Sequence, residues 1–179
     1  MAINRARTVR GALAGALAAS GWAAQQPLDK RAFRSSYDDL EFLGKAVTRS
    51  EGWLPAGVAL HLFNGAVFGA VYANAAPKVP LPRWACGPLA ALTEHVGLWP
   101  LTTVSDRLHP ARDQLEPLAG NRAAFWQGAW RHLLFGALLG EIERRLNPEP
   151  IEPEVSYDAV VTVNGHGSLE HALSAEHPS

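Results

Sequence analysis

Three histidines stand in segments that are otherwise apolar. His61 and His132 open two nearly identical stretches, HLFNGAVFG (61–69) and HLLFGALLG (132–140), and His95 follows Glu94 in a third. An imidazole titrates near neutrality, donates from one ring nitrogen while accepting at the other, and in its neutral form binds metal. Several imidazoles beside a carboxylate therefore suit proton relay, a divalent cation or a small polar ligand. Asn64 lies one turn beyond His61, and Arg131 precedes His132. The candidate binding set is His61, Asn64, Glu94, His95, Arg131 and His132. No local pair such as H-x-x-x-H is present, so any such site is wholly tertiary. No catalytic residue is indicated, and the metal or cofactor, if any, is open.

The elements that would position this set read as helices. On a helix the His and the two Gly of H-L-x-x-G-A-x-x-G share one face, presenting a ring and then a bare groove to a neighbour. Gly11 and Gly15, Gly65 and Gly69, and Gly128, Gly136 and Gly140 form small-residue rows suited to helix packing in lipid. Four apolar segments, about 9–26, 53–76, 84–104 and 122–146, approach the roughly 20 residues that cross about 30 Å of hydrocarbon. The first is closed by Gln25, Gln26 and Pro27; a secretory signal cut near Ala18-Ala19-Ser20 is its rival reading. The second has no solvated stripe, with Trp53 and Tyr72 suited to the interfacial belts and Pro77 stopping it. Pro100 should kink or end the third, and Asn121 can cap the fourth, whose last turn holds Arg144 and Arg145 at the negative end of the helix dipole. Between the first two, Ser36 and Asp39 at capping-box spacing predict a short amphipathic helix at the membrane surface, ending near Gly52.

Connectivity then sets depth. The second and fourth helices run one way and the third runs back, which brings His61, His95 and His132 to roughly 10–14 Å from one membrane face at about 1.5 Å per residue. Ionisable groups in mid-membrane cost on the order of 3 kcal/mol each on insertion scales, so they should face one another in an internal layer. In that layer Glu94 is expected to pair with Arg131, and Ser20 approaches the same level.

Composition narrows the function. The chain has 179 residues, 47% hydrophobic and 18% charged, with net charge -1, which provides no basic field for nucleic acid. Cys86 is the single cysteine, excluding an intrachain disulfide and a cysteine-based zinc cluster. No P-loop, nucleophile elbow, zincin helix or dinucleotide fingerprint occurs. The predicted organisation is a four-helix transmembrane bundle over 1–147 and a mostly disordered acidic tail over 148–179, with a brief strand at 159–163. Arg5, Arg7 and Arg10 favour cytoplasmic termini and a multi-pass protein of the inner membrane. The partner is the lipid bilayer, and the several Gly rows also permit a homo-oligomer.

Gly11-Ala-Leu-Ala-Gly15 running on to Asp29, the connection Asp38-Asp-Leu-Glu-Phe-Leu-Gly44, and His61 through Tyr72 resemble a group of uncharacterised bacterial inner-membrane proteins, the YagU-like families. The likeness covers roughly residues 8–146. It implies the four-helix membrane architecture and brings no catalytic residues with it. Within that architecture the polar layer has three readings: a structural lock between helices, a proton, metal or small-ligand site, or a haem or quinone site using His61 and His132. A soluble all-helical enzyme with Glu94, His95 and Glu141 as a core carboxylate site is the rival class.

Overall fold

Asn4 starts the first helix, its side-chain oxygen accepting the Arg7 amide at 3.1 Å. The computed structural model describes residues 4–148, and α1 (Arg5–Phe33) is its longest helix at 29 residues. The predicted close at Pro27 is corrected: the helix passes through it. Trp22, Gln26 and Asp29 continue, at three- and four-residue spacing, the buried face begun by Gly11, Ala14, Gly15, Ala18 and Ala19, whereas Pro27 itself is exposed. An interior proline costs about 3 kcal/mol, and the bonds made by this last stretch of α1 offset it. The end comes where Arg34 turns left-handed, at φ 51, and the amides of Arg34 and Ser35 return to the Arg31 and Lys30 carbonyls.

The second helix, α2 (Asp39–Val47), is capped two residues later than Ser36. Asp38 accepts the Glu41 amide at 3.0 Å, while the Ser36 hydroxyl is taken by Glu116 of a distant loop. The helix also stops at Val47, short of Gly52. It docks onto the first turns of α3 (Trp53–Ala75) through two glycines: a Cβ at Gly44 would strike the Trp53 carbonyl, and one at Gly57 the Leu40 carbonyl.

A 3-10 turn at Ala76–Lys78 carries Pro77, and α4 (Arg83–Leu98) follows. Pro100 cannot supply an amide to continue α4. The predicted single segment 84–104 is accordingly α4, a 3-10 turn at Trp99–Leu101 and a short α5 (Thr102–Leu108). Asn121 caps α6 (Arg122–Leu146), accepting the Ala124 amide at 3.0 Å. The described residues are helical with no strand. The predicted tail and its strand lie outside them, except for Pro148.

The four long helices pack in the order α3, α1, α6, α4, each antiparallel to its neighbour. Gly11 and Gly15 meet Gly65, Gly69 and Ala73, and Gly87 meets Gly136 and Gly140, so closely that a Cβ at Gly15 would land on the Gly65 carbonyl. The two H-L-x-x-G-A-x-x-G faces therefore serve different partners, α1 for the first and α4 for the second. All the predicted Gly rows are used inside one chain. Because α3 and α4 make no substantial contact, a gap remains between them.

Most of what the bundle buries is small or polar, with Trp22, Tyr72, Phe135 and Leu139 as the large exceptions. Alanines and glycines fill the seams, and the largest fully buried side chains are Arg131, Leu139, Gln127 and Glu143. Outside stand Val9, Leu13 and Leu17 of α1, Phe63, Val67 and Val71 of α3, Leu89 and Val96 of α4, and Leu133 of α6. Tyr72, expected at an interface, is instead buried with its hydroxyl toward Gly140. Among the described residues one stretch, Trp53–Lys78, at a mean hydropathy of 1.5, is long and apolar enough by itself to cross a membrane. In α1 the apolar run is broken by Gln25 and Gln26, in α6 by Gln127, Arg131 and His132, and α4 has 16 residues.

Candidate functional site

The predicted polar layer divides into a locked ionic cluster and an open cleft. Arg131 is wholly buried, and its partner is not Glu94. It reaches α1, where Nε and one terminal nitrogen grip both oxygens of Asp29 at 2.6 Å, and the other terminal nitrogen reaches Asp39 of α2 at 2.8 Å. A further bond goes to the Tyr37 carbonyl at 3.2 Å, and the guanidinium lies 5.4 Å from the centre of the Tyr37 ring. Gln127, one turn before Arg131, donates to Asp29 at 2.7 Å, and Gln25, one turn before Asp29, donates to it as well. The correction has a geometric cause. α1 extends to Phe33, which carries Asp29 to the Arg131 face of α6, whereas Glu94 sits on the side of α4 that faces the gap.

Tyr37 closes this cluster. Its hydroxyl donates to Asp39, and burial, reinforced by the neighbouring Asp39 charge, pushes the phenol well above its ordinary range. It therefore remains a proton donor at any physiological pH, fixing the Asp39 carboxylate between itself and Arg131.

The cleft lies beside this cluster, in the gap between α3 and α4, with a volume of 380 Å³. His61 and Asn64 form the α3 wall, Glu94 and His95 the α4 wall, and Trp22, His132 and Phe135 the floor. Asp39 and Phe42 of α2 and Thr102 and Ser105 of α5 border the same space. The structure thus brings five of the six predicted residues to one cavity. Arg131 is the exception, standing behind it in the ionic cluster. Ser20 is exposed and turned back onto its own helix at the Ala16 carbonyl, so it does not join the layer.

Each imidazole is oriented by a backbone carbonyl. His61 Nε2 donates to the Ala19 carbonyl and His95 Nε2 to that of Phe125, both at 3.1 Å; His132 Nδ1 donates to Gly128 at 2.8 Å. A carbonyl only accepts, so these nitrogens carry the hydrogens and the opposite ring nitrogens carry lone pairs when the rings are neutral. On His132 that nitrogen is Nε2, which stands 3.9 Å from Glu94. The His95 and His132 rings lie 4.7 Å apart between centres, and the Trp22 indole packs against His61 at 5.0 Å and His132 at 4.8 Å. A macrocycle ligated by His61 and His132 would have to displace that indole. Gly128 exists for the same crowding, since a Cβ there would collide with the His95 ring.

Among the described residues no three His, Cys, Asp or Glu side chains converge as metal ligands. Glu141, the third member of the soluble-enzyme reading, is bonded to Arg144 and Arg145 of its own helix and does not reach the cleft. What the arrangement offers is a pocket lined by aromatic residues, two carboxylates and three imidazoles whose N–H groups are already committed.

Sequence reasoning missed Asp29, Asp39, Tyr37, Gln127 and Trp22. A signal was present: Gln25 with Asp29 and Gln127 with Arg131 are polar pairs at four-residue spacing, and Asp29, Gln127 and Arg131 lie on the buried stripes of their helices. Comparison with protein-family models, curated proteins and solved structures gives no match.

Proposed function

We propose that the chain is a multi-pass integral membrane protein, a four-helix transmembrane bundle of α1, α3, α4 and α6, whose cleft is a binding site for a small ligand. The observation that carries this reading is the inverted distribution of side chains around a hollow. Large apolar residues face outward, while three imidazoles and two carboxylates line a cavity inside. In water the exposed Val, Leu and Phe of four helices would form apolar surface far beyond what a monomeric soluble domain shows. In lipid they are solvated, and the Ala and Gly seams supply the close packing on which helix association there depends.

The Arg7–Glu143 pair, at 3.0 Å, joins the start of α1 to the end of α6, so both described chain ends lie at one end of the bundle. With Arg5, Arg7 and Arg10 there, we assign that end to the cytoplasm.

The test begins with washing membranes at alkaline pH, where an integral protein stays with the lipid and release into the supernatant refutes the membrane assignment. Detergent-purified protein is then examined by native mass spectrometry, absorption spectroscopy and metal analysis. A bound small molecule lost in Asn64→Trp, which fills the cleft, supports the site. A Soret band or stoichiometric metal that disappears in His61→Ala or His132→Ala would assign a haem or metal centre in its place.

A further inference from the structure

We propose that the ligand of the cleft is an organic cation with an apolar body, held against Glu94; this rests on reading the cleft as a binding site. Three independent features point the same way. The first is charge. Asp39 and Glu94 line the cavity and no Lys or Arg does. Asp39 shares one guanidinium with Asp29, so that cluster holds two carboxylates to one base. Glu94, with 39% of its side chain exposed, has no Lys or Arg partner among the described residues; its neighbour is the His132 imidazole. Glu94 is partly withdrawn from water, so its charge acts at an effective dielectric below that of bulk water.

The second feature is hydrogen-bond sense. All three imidazoles have committed their N–H groups to the carbonyls of Ala19, Phe125 and Gly128. As neutral rings they have no N–H left to give an acceptor, and the lone-pair nitrogen of His132 stands beside Glu94. Carboxylates and phosphates, including the phosphate of a zwitterionic lipid, find no cationic partner here. Among the described residues a divalent metal lacks three convergent ligands. An ammonium group meets both the charge and the acceptors.

The third feature is the aromatic lining. Trp22, Phe42, Phe68, Trp99 and Phe135 border the cleft. Aromatic faces attract cations and also bury an apolar body. A cavity of 380 Å³ is in the range of small-molecule sites.

The experiment uses two ions of equal size and opposite charge, tetraphenylphosphonium and tetraphenylborate, with neutral triphenylphosphine oxide beside them. Binding to detergent-purified full-length protein is measured by equilibrium dialysis against protein-free micelles. The expected result is saturable binding of the phosphonium at one per chain, a loss of at least tenfold in affinity in Glu94→Gln, abolition in Asn64→Trp, and no saturable binding of tetraphenylborate. Circular dichroism of both variants should match the parent protein. If the neutral or anionic probe binds as well as the cation, unaffected by Glu94→Gln but abolished by Asn64→Trp, the cation assignment fails and the cleft reading stands. If no probe binds saturably, or Asn64→Trp leaves binding intact, both fail.

Discussion

Replacing Arg131 by Met should be the most damaging single change of charge in the molecule. Four hydrogen bonds leave its guanidinium: two to Asp29, one to Asp39 and one to the Tyr37 carbonyl. They tie α1, α2 and α6 to one point. Methionine fills much of the volume of the stem but leaves the Asp29 carboxylate, 2% exposed, with only the Gln25 and Gln127 amides. Removing one member of a buried ion pair costs about 3–5 kcal/mol, most of it from the stranded charge. For a chain of this size, 1 kcal/mol shifts the melting temperature by roughly 2–4 °C, so a fall of about 6–20 °C is expected. Thermal unfolding in detergent, followed by far-ultraviolet circular dichroism, measures it. The double variant Asp29→Asn, Arg131→Met removes the stranded charge and should recover at least half of the loss. Arg144→Met, at an exposed pair with Glu141, should change stability by less than about 0.5 kcal/mol. An Arg131→Met variant melting within 2 °C of the parent, or a double variant worse than the single, would refute the idea that this cluster holds the three helices together.

Gly15→Leu should prevent α1 and α3 from closing, because the new Cβ would occupy the place of the Gly65 carbonyl oxygen; Gly97→Ala, with open space around it, should be neutral or stabilise α4 by up to about 1 kcal/mol, and melting curves compare the two. Phe63→Asp tests the membrane assignment on an outward position: in lipid it costs about 2.5–3.5 kcal/mol of insertion and should reduce the membrane-integrated fraction in a translocation assay, whereas a water-facing position would tolerate it. Asp38→Ala should cost about 1 kcal/mol through the lost cap of α2. Burial opposes the Asp38 charge, but the Glu41 amide and the Lys30 ammonium at 3.1 Å outweigh it, and the carboxyl titrates below its usual value. A depressed folded pKa makes the contribution complete above the unfolded value of about 4 and removes it as pH falls lower. The melting difference between parent and Asp38→Ala should therefore be constant at neutral pH and narrow below about pH 4.

Much of the helical frame was legible because it is written locally. Asn121, Pro77 and Pro100 each act within one turn, and the structure ends or starts helices beside all three. The inner face of α3 was readable for the same reason: His61, Gly65 and Gly69, which the H-L-x-x-G-A-x-x-G spacing puts on one face, are all buried. The first helix misled because two glutamines and a proline look like a terminus when judged by composition. Their partners are far along the chain, Trp130 for Gln25 and the Gln127–Arg131 pair for Asp29, and nothing within a local window shows that polar residues there are bonded across helices.

The same limit explains why the polar layer was placed well and paired badly. Helix rise and connectivity set depth, so His61, His95 and His132 were expected at one level, and they border one cavity. Pairing depends on azimuth, which depth does not set. Two adjacent residues on α6 differ by about 100° around the axis, enough to turn Arg131 toward α1 and α2 while His132 faces Glu94 on α4. That divergence is what separates a lock from a site. The guanidinium is held by Asp29 and Asp39, and Glu94 faces a cavity with no Lys or Arg among its described lining residues. The last stretch of α1, about two turns beyond Pro27, brings Asp29 to Arg131 and so fixes the cluster behind a cavity that it does not line.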